Sequence, residues 1–137
     1  MYPIELVIPM AQELTNHGFE GLESAEAVAA VLDKKEGSTL VVVNSVCGCA
    51  AANARPGARL SLQGDKKPDL ATTVFAGVHK DAVDKARSYF LPFPPSSPCF
   101  ALFKDGKLVH FLERHNIEGA TAEMIAENLK MAYDKFC

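Results

Sequence analysis

The run from Ser38 to Val46, STLVVVNSV, constrains this chain more than any other stretch. It is β-branched and almost continuously apolar, the pattern of a strand buried on both faces at the centre of a sheet. Such strands belong to α/β folds, in which helices cover both sides. The run ends at Cys47-Gly48-Cys49, and an alanine-rich stretch follows from Ala50 to Ala54. Two cysteines at a strand-to-helix junction leave three alternatives: a redox pair, a pair of metal ligands, or two small apolar residues.

The flanking segments supply the helices that such a strand needs. Met10, Ala11 and Leu14 recur at helical spacing between Pro9 and Asn16, with Gly18 as a stop, and Ile4, Val7 and Ile8 extend the stripe backwards. Pro9 then fits either as a first-turn residue or as a kink. Ser24 is a suitable N-cap for a second helix, with Val28, Val31 and Leu32 on one stripe and Gly37 at its end. A third helix is expected to start near Cys49 and run through Leu60 and Leu62, bent by Pro56. Ala71 to Gly77 reads as a strand, and Asp81 as the cap of a short helix carrying Val83, Ala86 and Phe90. After the proline-rich LPFPPSSP, the segments CFALF and LVHFL are strands joined through Asp105-Gly106, a strong hairpin signal. Ile125, Leu129, Ala132, Tyr133 and Phe136 share one face of a helix from Ala122 to Phe136.

The expected fold class is therefore α/β: a three-layer sandwich with a mixed sheet of about four strands flanked by helices. Its element order resembles a thioredoxin-like core with an extra N-terminal helix. At 137 residues the chain is expected to form a single domain over residues 1–137, large enough to bury a core without cross-links.

Charge and hydropathy narrow the partners. Fourteen basic residues stand against seventeen acidic ones, and no Lys/Arg-rich run offers a face for phosphates, so nucleic acid is not an expected partner. No apolar run approaches the roughly 20 residues of a spanning helix, and the N-terminus lacks a secretory pattern. The expectation is a cytoplasmic protein without a membrane partner. In that compartment Cys47, Cys49, Cys99 and Cys137 are expected to be reduced, with any disulfide transient.

A thiol attacks as its thiolate, and an ordinary pKa of about 8.5 leaves little of that form at neutral pH. A strand-to-helix junction favours the anion through unpaired N–H groups and the positive end of the helix dipole. Residues 37 to 64 contain no carboxylate to oppose it. Cys47, at the mouth of the junction, is the expected attacking sulfur, and Cys49, in the first helical turn, the resolving one. Two extended residues span about 7 Å while a disulfide wants Cα atoms about 5.5 to 6 Å apart, so the backbone must bend at Gly48. The small ring is expected to be strained and readily reduced. In the alternative reading, a metal or iron–sulfur binding module, Cys47 and Cys49 supply two soft ligands and need further ones from Cys99, Cys137 or a histidine. The lack of a second closely spaced pair argues against that alternative. Cys99 suits a small apolar core position, while Cys137 reads either as an incidental thiol or as an extra resolving one. His17, His79 and His110 read as structural or solvated, His115 is undetermined, and Arg55 and Arg59 lie one turn apart where they would attract an acidic substrate.

Together, PMAQELTNHGF, TLVVVNSVCGCAAANARPG, VFAG, PPSSP, VHF, RHNIEG and a final cysteine resemble the bacilliredoxins, thioredoxin-like proteins with a Cys-Gly-Cys site. VNSVCGCA followed by ARP is the most specific part, and the resemblance covers almost the whole chain. It implies a thiol-disulfide oxidoreductase that removes bacillithiol, a low-molecular-weight thiol, from mixed disulfides on cytosolic proteins, with weak disulfide isomerase activity in some members. Cys47 would be the attacking cysteine and Cys49 the second redox cysteine. The implied partners are S-thiolated cytosolic proteins and bacillithiol or another small thiol as co-substrate, with no cofactor and no metal. In a thioredoxin-like fold the proline before the third sheet strand is cis and packs beside the cysteines; here it would be Pro98. The backbone of Ser97, together with Gly48, would then meet a bound peptide or thiol. The malate group of bacillithiol would give Arg55, Arg59 and Arg114 a reason to be basic. Cys99 departs from the family pattern.

Overall fold

A computed structural model describes residues 2–137. The apolar run forms strand β2, Ser38–Asn44, at the centre of a five-stranded sheet. The other strands are β1 (Glu20–Gly21), β3 (Leu70–Phe75), β4 (Cys99–Lys104) and β5 (Lys107–Leu112), in the spatial order β1-β3-β2-β4-β5. β2 pairs in parallel with β3 and antiparallel with β4, and β4 pairs antiparallel with β5. Burial on both faces is complete: Leu40, Val41, Val42 and Val43 are 0% exposed. Each such side chain contributes about 1.5–3 kcal/mol of transfer free energy.

Alternation along β2 divides the core into two layers. Leu40 and Val42 face one layer, with Leu14, Ala58, Ile125, Leu129 and Tyr133. These come from helices α1 (Ile4–Thr15), α3 (Arg55–Ser61) and α6 (Ala122–Phe136). Val41 and Val43 face the other, with Val28 and Leu32 of α2 (Ala25–Leu32) and Val83 and Ala86 of α4 (Lys80–Ser88). A fifth helix, α5 (Arg114–Glu118), follows β5 and is held by reciprocal hydrogen bonds between Glu113 and Asn116.

Most expected elements are present, with local corrections. Ser24 does cap α2, its Oγ accepting from the Ala27 N–H at 3.1 Å, but the helix ends at Asp33 and does not reach Gly37. Pro9 lies inside α1, on an exposed position. Asp81 sits in the first turn of α4, with His79 at the cap. The two-residue β1 and the five-residue α5 carry too few residues to show a period. The hairpin turn has Asp105 at φ 51° and Gly106 at φ 83°, the two left-handed residues of a type I′ turn.

The segment after the cysteines is resolved by a π-helical turn over Ala50–Ala54, in which the Arg55 N–H reaches the Ala50 carbonyl. α3 begins at Arg55, so Pro56 falls in a first turn that needs no N–H from it. α3 then packs closely on α6: a Cβ on Gly57 would stand 2.8 Å from Ile125 Cγ2.

Candidate active site

β2 ends at Asn44, and the backbone turns through Ser45, Val46 and Cys47 into a helical segment that begins at Gly48 and carries Cys49; the Cys47 carbonyl accepts its first backbone hydrogen bonds, from Ala50 and Ala51. Cys47 and Cys49 are half-buried free thiols, with their sulfurs 2.7 Å apart. The bend expected at Gly48 does not use a left-handed conformation, because the positive-φ glycines are Gly18, Gly37, Gly77 and Gly106. Residue 48 is already helical, and a Cβ there would meet nothing within 4 Å. The bend expected at residue 48 is thus an ordinary helical one that does not require glycine, and the missing side chain leaves open space there.

The two thiols are driven apart electrostatically. Burial opposes a charge on Cys47, but hydrogen bonds from Cys49 and the Ser45 hydroxyl, the Ala50 N–H and the Arg114 guanidinium together outweigh it and hold this thiol below its ordinary value. For Cys49, burial, its hydrogen bond to Cys47 and the charge on Cys47 all push the thiol up. One member of the pair is set to be the anion, the other the proton donor to it.

Around them the Ser97–Pro98 bond is cis, with Pro98 buried immediately before β4. Cys99 pairs with Val43, so one further step along both strands brings Pro98 to the level of Asn44. A second cis bond, Leu91–Pro92, was not anticipated. A crevice of about 200 Å³ is lined by Ser45, Cys47, Ser97 and Arg114, with Tyr2 and Gly77. Arg114, exposed at the start of α5, donates from Nη1 to the Ser97 carbonyl at 3.2 Å and from Nε to Glu118 Oε1. The Ser97 carbonyl therefore already has an internal donor, where the sequence suggested a group open to a bound peptide.

Arg55 corrects the expectation more strongly. It is only 1% exposed, and its guanidinium is committed to Glu13 Oε1 at 3.1 Å, Asn44 Oδ1 at 3.1 Å and the Ser45 carbonyl at 2.8 Å. It braces the site from behind and meets no substrate. Arg59 is half-buried and turns to Glu13 as well. Cys99 is a core residue as expected, and burial pushes its thiol up to about 12. Cys137 is half-buried against the layer that contains Tyr133. Among the described residues, no three His, Cys, Asp or Glu side chains gather as a metal site requires. The residues that sequence reasoning missed are Asn44, Ser45 and Glu13; the only signal was a polar Asn-Ser pair closing an apolar strand.

Comparison with known proteins gives the arrangement its context. Residues 2–137 match the family model described as disulphide isomerase. The chain is 61% identical over 135 residues to a bacilliredoxin from Cytophaga hutchinsonii, covering 98% of this chain and 99% of the relative. It is 53% identical over 137 residues to a bacilliredoxin from Bacillus cereus, covering 99% and 95%. Among solved structures, it resembles a thioredoxin from Schistosoma mansoni with TM-score 0.58 and 17% identity, over 87% of this chain and 98% of that one. It also resembles mitochondrial thioredoxin 3 from Saccharomyces cerevisiae with TM-score 0.58 and 16% identity, over 90% and 98%. The fold is that of thioredoxin.

Proposed function

Because the chain belongs to the bacilliredoxin family and is accordingly a thiol-disulfide oxidoreductase, we propose that it releases a low-molecular-weight thiol, bacillithiol or an equivalent, from mixed disulfides on cytosolic proteins. The observation that carries this reading is the asymmetry of the two thiols, Cys47 lowered and Cys49 raised, with their sulfurs 2.7 Å apart.

In this reading the Cys47 thiolate attacks the sulfur of the small thiol. A new disulfide forms between Cys47 and the small thiol, the protein–sulfur bond breaks, and the protein leaves as a thiolate that takes a proton from water. Cys49 then loses its proton and attacks Cys47 Sγ, expelling the small thiolate and closing the Cys47–Cys49 disulfide. The two electrons gained by the substrates come from the pair of cysteines. Two further low-molecular-weight thiols, which leave as their disulfide, or a reductase that supplies the two electrons, return the enzyme to its dithiol state. Gly48 and the crevice lined by Cys47, Ser97 and Arg114 give the small thiol room and a positive charge.

The test is a model protein carrying a bacillithiol mixed disulfide, incubated with wild type, Cys47→Ser and Cys49→Ala. Wild type is expected to release the thiol, and Cys47→Ser to be inert. Cys49→Ala should accumulate a stable adduct of Cys47 with the small thiol, visible by intact-mass spectrometry. Release by Cys47→Ser at the wild-type rate would overturn the reading.

A further inference from the structure

We propose that Ser45 is a catalytic residue, its hydroxyl holding the Cys47 thiolate, and that the buried Arg55 is the positioning residue that fixes it there. The inference rests on the reading of Cys47 as the nucleophile.

A serine hydroxyl has one hydrogen to give and two lone pairs to receive. The Cys47 N–H, 3.4 Å away, occupies one lone pair of Ser45 Oγ. The hydrogen is thereby directed away from that amide, and Cys47 Sγ lies at 3.2 Å to accept it. The same hydroxyl thus binds the backbone and the sulfur of a single residue, closing a small ring that leaves the sulfur little freedom to turn away.

Ser45 lies just beyond the last residue of β2, where the sheet no longer fixes the chain, and a second set of bonds takes over. Its N–H donates to Asn44 Oδ1 at 2.8 Å, and its carbonyl accepts from Arg55 Nη1 at 2.8 Å. Arg55 Nη1 also reaches Asn44 Oδ1 at 3.1 Å, so one nitrogen grips both sides of the corner. The far side of the bracket is anchored in α1: Arg55 Nε donates to Glu13 Oε1 at 3.1 Å, and Asn44 Nδ2 to the Met10 carbonyl at 3.2 Å. A guanidinium buried to this degree is costly unless its donors are occupied, and a lysine cannot present a planar fork to three acceptors at once.

The chemistry of the cycle gives the hydroxyl its purpose. A thiolate is a strong acceptor, while a sulfur within a disulfide carries no charge and accepts weakly. The Ser45 bond therefore favours Cys47 whenever it is anionic. That happens twice: when Cys47 attacks, and when the closed disulfide is reduced. In the second event an incoming low-molecular-weight thiolate bonds to Cys49 Sγ, the Cys47–Cys49 bond breaks, and the electron pair leaves on Cys47, where the hydroxyl receives it without giving up its proton.

The experiment follows alkylation of the full-length protein by iodoacetamide as a function of pH, with the modified cysteine mapped by mass spectrometry. Ser45→Ala is expected to raise the midpoint for Cys47 by about one pH unit and to slow alkylation about tenfold well below it, at an unchanged high-pH plateau. Ser45→Thr retains the hydroxyl and should titrate close to wild type. Arg55→Lys keeps the charge but loses the fork; it should move the midpoint in the same direction and add nothing further in a Ser45→Ala background. A purely structural Arg55 would lower the melting temperature and leave the midpoint in place. Ser45→Gly provides an independent deletion of the hydroxyl should Ser45→Ala fold poorly. If Cys47 is alkylated first but titrates alike in wild type and Ser45→Ala, the proposal fails while the nucleophile stands. If Cys49 is alkylated first in wild type, the assignment of Cys47 and this proposal fall together.

Discussion

At the scale of single residues, two kinds of positive influence act on Cys47, and they are separable. Arg114 is exposed and bears on the thiolate through its charge, so salt screens its influence. Arg114→Gln is expected to raise the Cys47 alkylation midpoint by a few tenths of a pH unit at low ionic strength, with most of the difference lost at about 0.5 M salt. An effect that survived high salt would mean that Arg114 acts through its bond to the Ser97 carbonyl and not through its charge. The sign follows from the lowered value: more thiolate is present at neutral pH than an ordinary cysteine offers, and removing a cation returns part of it to the thiol. Cys47 and Cys49 were legible because a strand, a glycine and an alanine helix lie next to them in sequence. Arg55 was not, because its ion-pair partner Glu13 lies 42 residues away, and nothing local distinguishes an arginine on a helix surface from one turned inward.

At the scale of elements, the sequence was informative wherever a period had room to repeat. The last helix and its apolar face are as the spacing indicated, and so are the hairpin and the central strand. It was uninformative for β1, whose two residues are recruited by β3 and not by any pattern of their own, and for the π-helical turn before Pro56. The join between α3 and α6 was equally hidden, since the sequence around Gly57 indicates a helix but not what packs against it. In the fold Gly57 is the point of closest approach, with the Ile125 side chain and the Ala122 carbonyl against it. Gly57→Ala sets about 1 kcal/mol of improved helix propensity against about 1–3 kcal/mol of overpacking. The clash at 2.8 Å is with a β-branched side chain of low freedom, so net destabilisation is the expected result in urea unfolding. An unchanged midpoint would mean that the two helices slide apart without loss.

At the scale of the whole molecule, the buried ionisable groups set an upper limit on pH. Burial pushes Cys99 up to about 12, and burial also holds Tyr133 above its usual range. Both groups remain protonated in the folded chain while the unfolded chain releases its protons from about pH 9 to 10 upward. The unfolded state then binds fewer protons, so stability falls as pH rises, by about 1.4 kcal/mol per pH unit for each such group. For Cys99 the loss begins near pH 9 and continues to about 12. Cys99→Ala should lower stability at neutral pH by removing core volume, yet flatten the alkaline decline measured by chemical denaturation at pH 9 to 11. A decline as steep as that of wild type would show that Cys99 titrates normally. The N-terminal helix carries a different lesson for the molecule as a whole. α1 precedes the first strand and carries neither cysteine. Yet Glu13 and the Met10 carbonyl hold the far end of the bracket behind Ser45, so a cut after residue 19 would strand a guanidinium in a dry pocket with its carboxylate gone. Removing the first helix is therefore expected to loosen the corner that carries Ser45 as well as to expose the sheet.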